Sequence, residues 1–352
     1  MSEPGRREFG VFLPVANGGW IISSTTPPLD GLWQQNLAAA VAADEVGLDF
    51  VMSMGKWRGF GGVTDHWGVQ MESLTLMAGL ATATRRVKLW ATIHPLLQNP
   101  AVAAKMITTL DHISGGRAGL NIVAGAYRRE FDQMGAWDDS LGHDDRYELA
   151  EEWTHVIRRL WSEPSVTHHG RFFTMNDCRS NPKPLSQPHP ELISAGMSDR
   201  GFQFAVREAD SCFIGGRTME ERRDYSRRGK AIAAQYGRRI KTYAMCTIVY
   251  AETDAKAEAL VERYREGVDM GAVIEMLTSW GVPPERLSDV ARQQGAFMTH
   301  TAVGSPATCA GKVEELLEAC ELDGLMLIFP DYVEGLKMFG ADILPGLRLA
   351  HA

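Results

Sequence analysis

Short apolar runs alternate with longer amphipathic stretches along the chain, and this alternation constrains the fold more than any other feature. Several of the short runs are continuous in valine, isoleucine, leucine and methionine, which is typical of parallel strands buried on both faces. Eight runs predict strands, at residues 9–14, 49–54, 87–92, 118–124, 191–195, 211–214, 243–250 and 324–329. Helical patterns lie between them, at residues 32–46, 72–84, 101–113, 145–161, 200–208, 219–236, 254–277 and 306–319.

Strands that alternate with helices predict an α/β fold, here a (β/α)8 TIM barrel with insertions, and an open doubly wound sheet is the alternative. The sequence has no G-x-G-x-x-G after its first strand and no Walker A motif, so the common nucleotide-binding fingerprints of open sheets are missing. A length of 352 residues also suits one barrel. We therefore expect a single barrel domain over residues 1–352, with insertions around 125–190 and 265–305. The second insertion contains Pro283-Pro284 and is a candidate mobile lid.

Composition narrows the classes of partner and compartment. A formal net charge of -8 argues against a broad nucleic-acid or acidic-membrane surface. The five cysteines form no C-x-x-C pair, which argues against a disulfide framework or a zinc site, and Cys212 and Cys246 lie in apolar runs as core residues. No apolar run reaches the ~18 residues of a membrane span, and no signal peptide is recognisable. We expect a protein of the reducing cytoplasm with no membrane or nucleic-acid partner.

In a barrel, reactive groups come from the C-terminal ends of strands and the loops that follow them. Asn121 lies in the apolar run Leu120-Asn121-Ile122-Val123, where an unpaired amide would cost ~1–3 kcal/mol. It is either a satisfied core amide or an amide that faces the barrel mouth. Ser198 precedes a predicted helix and is interpreted as its N-cap. The same helix terminus would suit a phosphate, with Arg146 as a second charge.

The histidines show no metal-ligand spacing. His168 and His169 precede a glycine and are interpreted as a solvated turn, and His112 as a helix-end residue. His94 follows the third strand and is the histidine expected on the mouth side. The sequence has no defensible Ser-His-Asp order and no paired carboxylates. A site of amide, hydroxyl and aromatic groups without its own nucleophile or metal indicates an organic cofactor.

Several segments resemble a known family. DHISGGR at residues 111–117, followed by LNIVAG at 120–125, resembles the signature of the bacterial luciferase-like flavin monooxygenases, and within them the pyrimidine monooxygenases that open the uracil ring. Further similar segments lie at residues 10–14, 17–20, 53–62, 72–80, 172–179 and 195–199. The likeness is strong from about residue 8 to residue 215 and weaker afterwards.

The resemblance implies FMN as cofactor, reduced by a separate NAD(P)H:flavin reductase, with O2 as co-substrate and a homodimer or homotetramer as assembly. It implies a monooxygenase that cleaves an amide C–N bond of a pyrimidine-like heterocycle through a flavin-N5 peroxide. Carried over position by position, the catalytic residues would be Asn121, Thr92 and Met52. The cofactor-binding residues would be Gly55, Lys56, Asn121, Glu130, Arg146, Tyr147 and Ser198. Trp20, His94 and Tyr127 would face the substrate.

The chain departs from the uracil-opening enzymes at positions that bear on the substrate. Ala126 stands where they have tryptophan, His94 replaces a small residue, and Met52 and Gly55 replace leucine and isoleucine. The substrate therefore stays open. One alternative is a two-component monooxygenase of the alkanesulfonate, dialkyl sulfone or haloaromatic type, for which Lys56, Arg58, Arg128 and Arg217 are the candidate cationic contacts. The other is a flavin-binding barrel without turnover.

Overall fold

A computed structural model describes residues 6–125, 127–196 and 198–349, so Ala126 and Met197 lie outside the described residues. Its strands are β1 Glu8–Phe12, β2 Phe50–Met52, β3 Lys88–Ile93, β4 Ala118–Ile122, β5 Val166–His169, β6 Thr174–Cys178, β7 Glu191–Ser194, β8 Ser211–Phe213, β9 Lys241–Tyr250, β10 His300–Gly304 and β11 Gly324–Ile328. Its α-helices are α1 Trp33–Glu45, α2 Ser73–Ala83, α3 Pro100–Ser114, α4 Arg128–Asp132, α5 His143–Ser162, α6 Asp199–Glu208, α7 Met219–Gln235, α8 Asp254–Glu266, α9 Met270–Ser279, α10 Pro284–Gln294, α11 Pro306–Ala319, α12 Tyr332–Met338 and α13 Leu344–Leu349. A π-helical turn, Phe339–Ile343, joins the last two helices.

The chain divides into two compact units, of which the first comprises residues 1–72 and 244–352. Its strands follow the order β10-β9-β11-β1-β2. The β1 strand is parallel to both neighbours, with Gly10 opposite Met326 on β11 and Phe50 on β2. All five residues of β1 and of β11 are buried, as continuous apolar runs predict for strands covered on both faces.

The second unit comprises residues 73–243. Its parallel strands follow the order β3-β4-β7-β8, and β8 pairs in turn with the first residues of β9. The register places Thr92 of β3 opposite Asn121 of β4, and Asn121 opposite Ile193 of β7. Three neighbouring strands thus bring these residues to the same level near their C-terminal ends.

In chain order, β1, β2, β3, β4, β7, β8, β9 and β11 are the eight parallel strands of a closed (β/α)8 barrel, so the predicted fold class and all eight predicted strands are confirmed. The sequence patterns did not predict β10 or the antiparallel hairpin of β5 and β6. The interpretation of His168 and His169 as a solvated turn is wrong, because both lie in β5. The His168 ring is bonded through Nε2 to Glu152 at 3.0 Å, and this contact attaches the hairpin to α5.

The predicted helix over residues 254–277 is two helices, α8 and α9. The break follows Gly267, and Asp269 then caps α9 by accepting a hydrogen bond from the Ala272 amide at 3.2 Å. Since a capping aspartate starts a new helix, the apolar periodicity continues through a segment in which the backbone does not. The predicted end of α3 is confirmed, with Gly115 in the left-handed conformation at φ 70°.

The DHISGGR segment at residues 111–117 makes structural hydrogen bonds through its two buried or partly buried charged residues, Asp111 and Arg117. The Asp111 carboxylate is fully buried and accepts hydrogen bonds from the amides of Ala118, Leu185 and Ser186 and from the Ser186 hydroxyl. The Arg117 guanidinium donates to the hydroxyl of Thr84 and to several backbone carbonyls around the end of α2. These charged residues fix the approach to β4, and Asn121 is carried on that strand.

Candidate functional site

Asn121 and Thr92 form the best-defined polar pair at the strand ends of the second unit. Asn121 donates from Nδ2 to Thr92 Oγ1 at 3.0 Å, and its side chain is 3% exposed. Its Oδ1 atom is buried without a hydrogen-bond partner among the residues that the structure describes. A buried orphan acceptor costs ~1–3 kcal/mol and requires an explanation, which a bound ligand would supply.

The backbone of Thr92 is fixed from behind by a residue that sequence reasoning missed. The Ser73 hydroxyl, at the start of α2, accepts a hydrogen bond from the Thr92 amide at 2.7 Å. Ser73 is 2% exposed, so this bond is protected from water. A serine that opens a helix gave no signal that separated this role from ordinary capping.

The N-terminus of α6 forms a second element of the site. Ser198 accepts a hydrogen bond from the Gly201 amide at 3.0 Å, which confirms the predicted N-cap. A Cβ atom at Gly201 would lie 2.4 Å from the Tyr147 hydroxyl, and one at Gly196 would lie 2.4 Å from the Gly201 carbonyl oxygen. Gly201 therefore allows the Tyr147 hydroxyl to reach the first turn of a helix whose dipole favours an anion there, and Gly196 allows the preceding loop to approach that turn.

Arg146 and Glu130 are the two charged residues that were predicted to bind the cofactor in this unit. The Arg146 guanidinium donates to the Leu141 carbonyl at 3.0 Å and lies 4.8 Å from the centre of the Trp137 ring. Glu130 is 3% exposed and lies in the first turn of α4. By contrast, Arg200 forms a two-pronged ion pair with Glu151 at 2.7 and 2.8 Å, which engages the positive charge nearest to Ser198 in sequence.

His94 and Tyr127 are buried in the loops after β3 and β4. The Nδ1 atom of His94 lies 3.2 Å from the Val123 carbonyl oxygen, and its ring meets Phe131 edge-on at 5.2 Å. Tyr127 is 7% exposed and precedes α4 as its N-cap residue. The carbonyl contact and the Phe131 ring fix the plane of the imidazole.

Three of the predicted site residues in the first unit lie at the end of β2 or in the loop after it. Met52 is the last residue of that strand and is 3% exposed, and its carbonyl oxygen accepts from the Leu13 amide at 2.9 Å. Gly55 and Lys56 are half-buried in the loop beyond it. The Lys56 ammonium lies 4.5 Å from the centre of the Phe60 ring, a cation–π contact that holds the charge near the loop.

Trp20 belongs to an aromatic cluster formed by the loops after β1 and β2. Its ring lies 4.5 Å from Phe12 and 4.8 Å from Trp67, measured between ring centres. Trp67 in turn contacts Phe60 at 5.3 Å and donates from its indole nitrogen to the Gly19 carbonyl at 2.6 Å. Trp20 is half-buried whereas Trp67 is 5% exposed, so Trp20 is the ring of this pair that presents more surface.

The structure thus brings Thr92 together with Asn121 as direct neighbours, and it brings Tyr147 to Gly201, the residue whose amide Ser198 caps. Gly196 and Gly201, which allow the close approaches at this helix terminus, were not among the predicted site residues, although a glycine three positions after an N-cap serine was a usable signal. Among the described residues, none of the helices combines the length and the apolar character that a membrane crossing would require.

The chain is similar to known proteins over most of its length. The family model described as luciferase-like monooxygenase matches residues 7–320. The pyrimidine monooxygenase RutA of Acinetobacter baylyi is 36% identical over 96% of this chain and 94% of its own length. RutA of Methylorubrum extorquens is 37% identical over 96% of this chain and 95% of its own.

Among solved structures, a riboflavin lyase, RcaE, with modified FMN and riboflavin superposes with a TM-score of 0.85 at 22% identity, covering 98% of this chain and 92% of the other. The long-chain alkane monooxygenase LadA gives a TM-score of 0.82 at 18% identity, covering 99% and 92%. At these identities the structural matches bear on the fold alone.

Proposed function

The chain belongs to the luciferase-like monooxygenase family and is an enzyme of the flavin-dependent monooxygenase type, and from this premise we propose that it opens a pyrimidine-like ring by oxidative cleavage of an amide C–N bond. The observation that carries the proposal is the buried Asn121–Thr92 pair, whose Oδ1 atom is left without a partner among the described residues. The relatives at 36–37% identity that are named pyrimidine monooxygenases support the substrate class.

FMN fits the residues present. Its phosphate would be held by Ser198, Tyr147 and Arg146 at the start of α6, because Gly201 lets the Tyr147 hydroxyl approach a helix N-terminus whose dipole favours an anion. Glu130 would bind the ribityl chain, and Gly55 and Lys56 would contact the flavin. Reduced flavin supplies the electrons with which O2 is activated.

The protein's own residues would place the reacting carbonyl and stabilise charge on it. Asn121 Oδ1 would accept a hydrogen bond from an N–H of the bound ring, because it is an acceptor without a partner among the described residues. The Asn121 Nδ2 group is oriented by its bond to Thr92, and its second hydrogen is the donor that would stabilise a developing oxyanion without a protein nucleophile. From the resemblance, Met52 would contribute to the oxygen pocket. Trp20, His94 and Tyr127 would face the ring of the substrate and limit which rings fit.

The proposal includes a separate NAD(P)H:flavin reductase that supplies reduced FMN, and a homodimer or homotetramer. It also places the enzyme in the cytoplasm, where five free cysteines would stay reduced. The sulfonate or sulfone alternative is not favoured. One of its candidate cations, Arg128, is paired with Asp139 at 2.9 Å, and the Lys56 charge lies over Phe60.

A substrate screen tests the proposal. Purified protein, FMN, a flavin reductase, NADH and isotopically labelled O2 are incubated separately with uracil, an alkanesulfonate and a dialkyl sulfone. We expect label in a ring-opened product of uracil by mass spectrometry, and none when Asn121→Ala replaces the wild type. Labelled product from the sulfonate or sulfone, with uracil untouched, would replace the proposed substrate class.

A further inference from the structure

The insertion after β9 contains two helices, α9 and α10, that pack on each other. The chain enters and leaves this helical pair beside the loop that follows β1. Asp269 donates its amide to the Ile22 carbonyl at 3.1 Å on entry, and the Ala296 carbonyl accepts from the Ile22 amide at 2.9 Å on exit. Ile22 of the β1 loop is therefore hydrogen-bonded both to the segment that enters the helical pair and to the segment that leaves it. We call residues 270–294 the helical lid.

A glycine lies close to each end of the helical pair, Gly267 before α9 and Gly295 after α10. Gly295 has φ 60° and ψ -145°, a conformation that other residues rarely adopt. At Gly267 a Cβ atom would lie 2.5 Å from the Thr25 hydroxyl, so the chain passes closer to the β1 loop than any other residue would allow. Positions of this kind at the ends of a helical pair can absorb the backbone rotation of a hinge.

The Asp269 carboxylate joins the lid to the loop after β2. Its Oδ2 atom accepts from both the amide and the hydroxyl of Thr64 at 2.8 Å, and Oδ1 accepts from the Ala272 amide at the start of α9. Asp269 is 2% exposed. Burial acts to raise the pKa of Asp269, but the bonds from Thr64 and Ala272 outweigh it and leave the pKa below its ordinary value. The carboxylate is therefore charged at neutral pH.

The neighbouring His66 destabilises the β2 loop in the conformation in which Thr64 bonds to Asp269, which we call the closed state. Its ring is 1% exposed and stacks on Trp67, and neither ring nitrogen has a hydrogen-bond partner among the described residues. Burial lowers the pKa of His66 to about 4, against the opposing effect of Asp269, so the ring is neutral at pH 7 and forms no ion pair. Its neighbours Asp65 and Trp67 have left-handed backbones at φ 45° and φ 59°. A buried polar ring without partners and two unfavourable backbone conformations all destabilise the closed loop.

We propose that Asp269 is a positioning residue that holds the helical lid against the β2 loop through its bonds to Thr64, a contact that we call the latch. The buried His66 destabilises this closed state, so that the lid opens and closes. Closed, the lid holds in place the loops that carry Trp20 and Lys56. Opening breaks the Thr64–Asp269 bonds, gives His66 access to water and allows the strained backbone at Asp65 and Trp67 to relax. The consequence for turnover rests on the proposed function, whereas the latch itself does not.

Hydrogen–deuterium exchange of the full-length protein measures the latch without any substrate. Thr64→Val removes the hydroxyl donor, and we expect peptides from residues 270–294 to exchange about tenfold faster, as the loss of one partly buried hydrogen bond to a charged group predicts. Thr278→Val is the matched control, because its hydroxyl is exposed and bonds to the Ile274 carbonyl within α9. Equal acceleration in both variants would overturn the latch.

His66→Phe tests whether the buried His66 ring destabilises the closed lid. Removing the unsatisfied nitrogens while keeping a flat ring should slow exchange of the same peptides several-fold, with peptides from α3 unchanged. His169→Phe, on the exposed side of β5, should leave the lid unchanged. Unchanged or faster lid exchange in His66→Phe would show that His66 is a satisfied core residue and would overturn its role.

Kinetics connect the latch to turnover. With uracil as the substrate, Thr64→Val should shift KM and kcat while the Kd for FMN stays at the wild-type value, and Thr278→Val should shift neither. Changed lid exchange with unchanged kinetics would overturn the role in turnover and leave the latch. Absence of uracil turnover in the wild type would overturn the proposed substrate and leave the exchange experiment decisive.

Discussion

Thr92 on β3 and Asn121 on β4 lie directly opposite each other in a parallel ladder, and their side chains are joined by a 3.0 Å hydrogen bond from Nδ2 to Oγ1. The bond determines the orientation of the Asn121 amide. Because Nδ2 is engaged by Thr92, the carbonyl oxygen is the atom left without a partner among the described residues.

Asn121→Ala should abolish coupled oxygenation and retain the flavin. Losing one preorganised polar group at a reacting carbonyl typically costs about 100-fold or more in kcat. Product yield and hydrogen peroxide release are measured together with the Kd for FMN. Thr92→Val, which leaves the Asn121 amide present without its orienting partner, should give a smaller loss. Wild-type coupling in Asn121→Ala would remove its catalytic role.

Gly201→Ala should weaken FMN binding more than Ser198→Ala does. The added Cβ would lie 2.4 Å from the Tyr147 hydroxyl, so the helix terminus or the tyrosine must shift, whereas loss of the Ser198 hydroxyl removes one polar group and should cost about tenfold in Kd. Fluorescence titration of FMN measures both. Gly311→Ala is the control, because a Cβ there meets nothing within 4 Å and the position lies in α11. Equal Kd values in all three variants would place the phosphate elsewhere.

Asp111→Asn should destabilise the fold without altering the chemistry of the site. The buried carboxylate accepts bonds from Leu185 and Ser186, more than seventy positions away, and an amide cannot accept with both of its heavy atoms. We expect a loss of ~2–4 kcal/mol in the free energy of unfolding, measured by urea denaturation. The exposed substitution Glu258→Gln should change it by less than about 0.5 kcal/mol. A loss no larger in Asp111→Asn would mean that these bonds contribute little.

His66 should make stability depend on pH. Its pKa falls from 6.5 to about 4 on folding, so between these values the unfolded chain binds more protons than the native protein. Stability therefore decreases as the pH falls from about 6.5 to 4, and the contribution of this residue is roughly 3 kcal/mol. The stability of His66→Phe minus that of the wild type should grow by that amount over the window, as denaturation at several pH values would measure. A constant difference would mean that His66 is not buried in its neutral form.

Local patterns were sufficient for much of the fold. The apolar runs predicted all eight barrel strands because strands buried on both faces need continuous apolar side chains, and Gly115 marked the end of α3 because it must adopt a left-handed backbone. The helix over residues 254–277 was wrong because periodicity does not register a capping aspartate such as Asp269.

Local sequence patterns were enough to predict the strands, most of the helices and the Ser198 cap, whereas the residues expected to bind FMN stay a prediction from the resemblance. Tertiary structure alone decided which side chains meet. Thr64 and Asp269 are 205 positions apart, and the approach of Tyr147 to Gly201 depends on how α5 packs against α6. It also decided that His66 is buried without a protein partner among the described residues. The physical reason is that periodicity and capping act over a few neighbouring residues, whereas hydrogen bonding and burial depend on contacts that exist only once distant segments have packed together.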